Sequence, residues 1–142
     1  MWRGLLLVLF LFLVAGCITP LPPTPQDLQA KKFEAVPDKA VIYIVRHDPD
    51  LSNAPATISL DDVATITTYP GTYYRWEAEP GPRLIQGFAG HMGRFSFPTE
   101  AGRLYFVEQR VSGFMRFGES FFALIPEPHG RAAVSRAELV PG

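Results

Sequence analysis

Three histidines and one cysteine are the residues of this 142-residue chain best suited to binding a metal or to nucleophilic chemistry. His47 has the richest surroundings, because the stretch RHDPD (46–50) also offers Asp48 and Asp50. An imidazole beside two carboxylates suits a metal site or acid–base chemistry. The simpler interpretation is a solvated turn that Asp48 begins and Pro49 fixes. No second group of ligands has metal-site spacing, so the sequence predicts no metal ligand, no catalytic residue and no cofactor.

The glycine-rich segment GFAGHMG (87–93) contains His91 but does not have the sequence of a nucleotide-binding loop. It lacks the Lys and the Ser or Thr of a phosphate-binding motif, and no helical pattern follows it. Ser112 and Ser120 have no base within a recognisable motif, and Gly-x-Ser-x-Gly is absent. We therefore expect a protein that is not an enzyme. The alternative is a small-ligand or metal-binding module that uses the loops of His47 and His91.

The single cysteine, Cys17, follows the most apolar stretch in the chain. Arg3 supplies one positive charge, residues 5–14 are ten consecutive apolar residues, and two small residues come next. This run is shorter than the roughly 20 residues of a membrane-spanning helix. A basic start, a short apolar core and small residues at its end are typical of a secretory signal peptide. We assign residues 1–16 to that peptide.

The four residues VAGC, from Val14 to Cys17, resemble the lipobox of bacterial lipoproteins. The resemblance implies cleavage between Gly16 and Cys17, a diacylglycerol on the Cys17 thiol, and an acyl chain (palmitate) on the new amino group. Two or more such chains hold a protein stably at a membrane, since each buried methylene contributes about 0.8 kcal/mol. The alternative, a free thiol in an exported protein, would leave an odd reactive group.

Ile18 follows the cysteine. In the sorting rule described for enterobacterial lipoproteins, Asp at this position retains the protein in the inner membrane. With Ile18, the expected location is the outer membrane, with the domain facing the periplasm.

The charge of the processed chain excludes one class of partner. Removing residues 1–16 takes away Arg3 but none of the fourteen acidic residues, so the net charge changes from −1 to −2. Binding to nucleic acid calls for a clustered basic excess, which this chain lacks. With no second cysteine, the fold must also be held together by packing alone.

The residues after the cysteine are rich in proline, at positions 20, 22, 23 and 25. Proline disfavours helix and favours an extended conformation of about 3.1 Å per residue, so twenty such residues would reach roughly 60 Å. We therefore expect residues 17–37 to form a lipidated N-terminus and an extended tether, with a helical turn around residues 27–32. Residues 38–142 remain for one domain with one core.

From Ala40 onward the pattern has a period of two, which is typical of β-strands. The run AVIYIV (40–45) suits a central strand covered on both faces. Only residues 131–139 have a helical character, and it is weak. Short strands separated by Gly and Pro predict an all-β fold, an antiparallel β-sandwich or small barrel. The other predicted strands are 56–60, 63–69, 72–78, 83–88, 94–97, 103–111 and 120–125.

Four segments also resemble a lipoprotein domain of Gram-negative bacteria, domain of unknown function 2846. They are PDKAVIYIVR (37–46), TISLDD (57–62), GTYYRWEAEPGPRLI (71–85) and EAGRLYFVEQRV (100–111). One departure is Asp61-Asp62, where members usually have Asp-Gly. The resemblance implies a transthyretin-like or carboxypeptidase-regulatory-like sandwich and brings no catalytic residues.

Aromatic residues are frequent, with eleven Phe, five Tyr and two Trp. Most are expected in the core. Phe114, Met115 and Phe117 are different, because they lie between glycines in a predicted loop, where they either pack on the core or form an exposed patch. Together with the lipobox, this predicts a non-enzymatic envelope lipoprotein that binds an envelope protein partner, and Phe114, Met115 and Phe117 are its candidate partner patch.

Overall fold

The structure is a computed structural model, and it describes residues 22–87, 93–113 and 118–141. The predicted strands are confirmed, with bounds that differ by two residues at most. The elements are, in chain order, α1 (Pro25–Ala30), β1 (Ala40–Arg46), β2 (Ala56–Leu60), β3 (Ala64–Thr68), β4 (Thr72–Ala78), β5 (Gly81–Gly87), β6 (Arg94–Thr99), β7 (Leu104–Ser112), β8 (Glu119–Leu124), α2 (Glu127–Ser135) and β9 (Glu138–Leu139).

The strands form two sheets that pack together, which confirms the all-β sandwich. The five-stranded sheet has the order β8-β7-β1-β4-β9, and the four-stranded sheet has the order β3-β2-β5-β6. Most neighbouring strands are antiparallel, but β1 pairs with β7, and β4 with β9, in parallel. These two parallel pairs join segments distant in sequence, so the alternation of side chains along each strand could not predict them.

Strand β1 lies at the centre of the five-stranded sheet, and its side chains fill two separate apolar clusters. The even-numbered Ile42 and Ile44 pack between the two sheets. The odd-numbered residues, among them Tyr43, pack on the opposite face, which the helices cover. Because both faces are covered, residues 40–46 are all buried, as the unbroken apolar run predicts. The molecule thus has three layers, with helices outside the five-stranded sheet.

Tight turns pass the chain between strands and between sheets. Only two residues separate β4 from β5, which belong to different sheets, and Gly81 has φ +117°, a conformation that glycine adopts without strain. Asp61 and Asp62 between β2 and β3 both have positive φ, as in the central residues of a type I′ turn. Asp61 also ties this turn to β5, because its carboxylate accepts from the Leu84 N–H and pairs with Arg83.

The predicted tether is shorter than expected, because much of residues 17–37 belongs to the packed unit. Thr24 caps α1 by accepting a hydrogen bond from the Asp27 N–H. Ala30 is buried in the outer apolar cluster, and Phe33 and Val36 pack against it. Proline spacing alone indicated an extended chain, but apolar residues between the prolines give this segment a face to bury. The packed unit therefore begins at about residue 24.

Helix α2 was the least expected element, since only a weak helical pattern over residues 131–139 was visible. It begins earlier, at Glu127, and lies directly on β7. A Cβ atom placed on Gly130 would be 2.2 Å from Cγ of Phe106, so only glycine permits this approach. Ala133 and Val134 are buried on the same side of the helix. The helix seals the outer apolar cluster.

Candidate functional site

The structure brings few of the predicted site residues together. Cys17, the predicted lipid-attachment residue, and Gly16, the residue before it, lie outside the described residues. Phe114, Met115 and Phe117, the candidate partner patch, also lie outside them. The predictions of a lipid anchor and of an aromatic patch therefore remain predictions.

In the stretch that could have bound a metal, two side chains already have partners. The Asp50 side chain is fully enclosed, and its Oδ2 accepts from Nε of Arg46 at 2.5 Å. Nε2 of His47 lies 2.8 Å from Oε1 of Glu108. Within the described residues, no group of three or more His, Cys, Asp or Glu side chains is placed to hold a metal ion. His91, whose loop is the other half of the ligand-binding alternative, lies outside the described residues, so that alternative remains a prediction.

Arg46 is the centre of a buried polar network that the sequence did not reveal. Its guanidinium donates through Nη1 to the Thr68 carbonyl at 3.1 Å and through Nη2 to the Ser52 carbonyl at 2.6 Å. The network continues through Thr68 Oγ1 to Oε1 of Gln109, and through Gln109 Nε2 to Ser120. Among the described residues, every buried side-chain nitrogen or oxygen has a hydrogen-bond partner. The network joins the two sheets and holds the Asp50 loop.

On the outer face of the five-stranded sheet, two tyrosine hydroxyls hold the N-terminal segment. Tyr43 Oη donates to the Ala30 carbonyl at 2.6 Å, and Tyr73 Oη donates to Oδ1 of Asp27 at 2.7 Å. Burial raises the pKa of Tyr73, and the Asp27 hydrogen bond raises it further. Burial also raises the pKa of Tyr43, against the effect of its hydrogen bond from Arg75. Both hydroxyls therefore stay protonated at neutral pH, where they act as structural donors.

A groove of about 980 Å³ runs along β4, and we call it the β4-edge groove. The N-terminal segment forms one wall, the residues around β9 close one end, and β4 contributes the floor. Its lining is a mixture of apolar surface and uncharged polar groups with a few charges, and it contains no Ser, Cys or His. The lining residues are Thr24, Pro25, Gln26, Gln29, Ala30, Glu34, Ala35, Val36, Tyr74, Arg75, Glu77, Leu139, Val140 and Pro141.

The floor of the groove includes a stretch of β4 with main-chain groups that face away from β1. Strand β9 pairs only with Thr72 and Tyr73, and the last such bond runs from the Val140 N–H to the Tyr73 carbonyl at 2.8 Å. Alternate residues of a strand direct their main-chain groups to the same side. Arg75 and Glu77 therefore face the same way as Tyr73, but beyond the end of β9. No hydrogen bond from the described residues reaches their N–H or C=O groups.

This groove is visible only from the tertiary structure and could not be predicted from the sequence pattern. Period-two alternation correctly assigns Tyr74 and Trp76 to one face of β4, and Arg75 and Glu77 to the other. It gives no information on which neighbour lies at each edge of the strand. The parallel pairing of β9, two residues long, decides that β4 is covered only at its beginning.

No family model, no curated protein and no solved structure matches this chain. Residues of the motifs quoted from the sequence have structural roles here. Tyr43 and Arg46 hold the N-terminal segment and the buried network, and Gly102, with φ +75°, precedes β7. Within the described ranges, no helix is long and apolar enough to cross a membrane.

Proposed function

We propose that this protein is a lipid-anchored lipoprotein of the bacterial envelope whose β-sandwich binds another envelope protein and has no enzymatic activity. The sequence of residues 1–17 supports the anchor, because it combines a signal peptide with a lipobox. The domain faces the periplasm, and Ile18 favours the outer membrane. Membership of the domain of unknown function 2846 family is part of the same proposal.

The β4-edge groove is the observation that supports a binding role. It is of the size of known ligand sites, and main-chain groups line its floor. A catalytic site needs an activated nucleophile or an acid and a base within reach of substrate. No Ser, Cys or His lines the groove, and its Arg75 guanidinium already pairs with Oε1 of Glu77 at 2.5 Å.

The position of the groove supports a partner at the membrane. Its wall begins at Thr24, about seven residues after Cys17. Seven residues span at most ~25 Å even when fully extended, less than half of the reach expected of a free tether. A domain lipidated at Cys17 therefore holds this groove near the membrane surface, within reach of a partner that is itself membrane-bound.

Site-specific photocrosslinking in intact cells tests this proposal. A photoreactive amino acid at Gln26, which is exposed on the groove wall, should crosslink a discrete envelope protein. The same amino acid at Arg94, which is exposed on β6, is the matched control and should not. A third position, Phe117, tests the candidate partner patch. A Gln26 variant that captures nothing while the Phe117 variant does would move the binding site from the groove to that patch.

The lipid anchor has its own test. Cys17→Ser should abolish lipidation and leave an unprocessed precursor that retains residues 1–16. Mass spectrometry of the purified protein measures both changes. A Cys17→Ser variant with processed mass that is still extracted with the membrane would contradict the lipobox assignment.

A further inference from the structure

We infer that the β4-edge groove receives an extended polypeptide segment of the partner, which adds to the five-stranded sheet as a strand beside Arg75 and Glu77. This inference rests on the proposed function and names the form of the ligand. The occupant is a segment with at least one basic side chain.

The main-chain groups of Arg75 and Glu77 provide the first argument. Each residue offers one N–H and one C=O toward the groove, and residues two apart on a strand are about 6.7 Å apart. Only another extended backbone carries donors and acceptors in that repeat, which is why exposed sheet edges bind peptides as added strands. The fold leaves this edge open because β9 ends after Leu139.

The walls provide the second argument, because they distinguish this edge from others in the fold. A protein normally protects an exposed edge with proline, charge or a covering loop. The edge strand β6 carries Pro98, which has no N–H to donate. Beside Arg75 and Glu77 there is instead a channel, with Gln29 and Val36 on one side. A channel of this kind guides a single extended chain along the strand.

Charge provides the third argument and selects the basic side chain. The channel carries the carboxylates of Glu34 and Glu77 and the guanidinium of Arg75, so it has one negative charge in excess. Arg75 donates to Glu77 Oε1, and Glu34 accepts from the Gln29 amide at 3.2 Å. Glu34 has no cation paired with it among the described residues, so a Lys or Arg of the added strand fits opposite it.

Amide hydrogen exchange of the lipidated chain in detergent micelles tests the free state. The amides of Tyr74 and Trp76 point to β1 and should exchange at least about 100-fold more slowly than those of Arg75 and Glu77. Slow exchange at Arg75 and Glu77 at every protein concentration would mean that the protein's own chain covers the edge. Exchange at these two residues that becomes slower as the protein concentration rises would mean that a second copy of the chain covers the edge. Either result overturns the inference.

A phage library of random twelve-residue peptides is the probe for the bound state. Selected peptides should be rich in β-branched residues and contain Lys or Arg. When added as synthetic peptides, they should slow amide exchange at Arg75 and Glu77. Glu77→Pro removes one N–H and should weaken binding at least about tenfold, whereas Glu77→Thr keeps the N–H and should weaken it about threefold or less. Slow exchange at Tyr74 and Trp76 in the proline variant verifies that it is folded. If the proline variant is unfolded, the test is whether added peptide slows exchange at Arg75 and Glu77 of the unmodified chain; unchanged exchange there would refute strand addition.

The inference and the proposed function fail in different ways. Crosslinks from Gln26 together with fast exchange at Arg75 and Glu77 in the complex would keep the groove as a partner site and refute strand addition. Peptides that bind the Glu77→Pro and Glu77→Thr variants equally would also refute it. Absence of any crosslinked partner at both Gln26 and Phe117 would instead refute the proposed function.

Discussion

Replacing Arg46 with Met tests whether the buried polar network holds the two sheets together. Met fills a similar volume but donates no hydrogen bond. The Arg46 side chain and the Asp50 side chain are both 0% exposed. In Arg46→Met, Asp50 keeps only the N–H groups of Leu51 and Val111 as donors. The carbonyls of Thr68 and Ser52 also lose the donor that Arg46 provides.

The magnitude follows from leaving a charge without its partner. Breaking a buried ion pair by removing one member costs about 3–5 kcal/mol, because the remaining charge is desolvated and uncompensated. We therefore expect Arg46→Met to lower the free energy of unfolding by about 4 kcal/mol, a large part of the 5–15 kcal/mol typical of a domain. Asp50→Asn should cost a similar amount. The double variant should lose about 2 kcal/mol less than the sum of the two, because it leaves no unpaired charge behind, whereas each single variant leaves one.

Urea unfolding followed by tryptophan fluorescence measures these changes. In a chain expressed as residues 22–142, which lacks Trp2, the signal reports Trp76, which packs against the cluster between the sheets. Arg103→Met is the matched control, since Arg103 and Glu100 form an exposed pair, and its unfolding midpoint should not move. A loss below about 1.5 kcal/mol for Arg46→Met, or strict additivity in the double variant, would show that the network does not hold the two sheets together.

Three further predictions concern the outer face of the five-stranded sheet. Gly130→Ala should lower the thermal midpoint by several degrees, since its Cβ would overlap Phe106, while His129→Ala on the exposed side of the same helix should change it little; equal effects would refute the packing argument. The pKa of Tyr73 is higher in the folded state than in the unfolded chain, where it is about 10. Its protonated hydroxyl therefore stabilises the fold fully below pH 10, and this contribution is lost as the pH rises above 10. Urea midpoints should therefore show Tyr73→Phe less stable than the unmodified chain at pH 8, with a gap that narrows above pH 10; a constant gap would contradict the assignment. Residues 38–142 alone should be less stable than residues 22–142 by roughly 3 kcal/mol or more in urea, because the former lack Phe33 and Ala30; equal midpoints would show that the N-terminal segment is a free tether after all.

Strand positions could be predicted from the sequence because each strand carries its own pattern. Residues 72–78 alternate between two chemically different faces, and residues 40–45 are apolar on both, so local periodicity determines where they begin and how they are covered. The same reasoning fails where a segment is short and its burial depends on distant residues. Residues 25–36 have few apolar positions, and the hydroxyls of Tyr43 and Tyr73 that hold them come from elsewhere in the chain.

The candidate site was less predictable than the fold. His47 and Asp50 stood out because their side chains are reactive types, yet both are paired within the structure. The β4-edge groove depends on main-chain groups, which every residue has, and on the length of β9. No residue type marks an unpaired main-chain group, so the groove emerges only from the order of strands. Arg46 gave one local signal, a charged residue at the end of an apolar run.

The hydrogen bond from Lys31 Nζ to the Ala137 carbonyl, 2.7 Å long, has a consequence for the folding of the chain. It joins residues 106 positions apart in sequence, and Asp27 holds the same lysine from the other side. Contacts of such high sequence separation form late, since a long loop must close before they contribute free energy. We therefore expect the sheets to assemble first and the N-terminal segment to dock last, after residue 137 has been synthesised. Until that moment the outer faces of Tyr43 and Phe106 are exposed to solvent, and a chaperone would find its binding surface there.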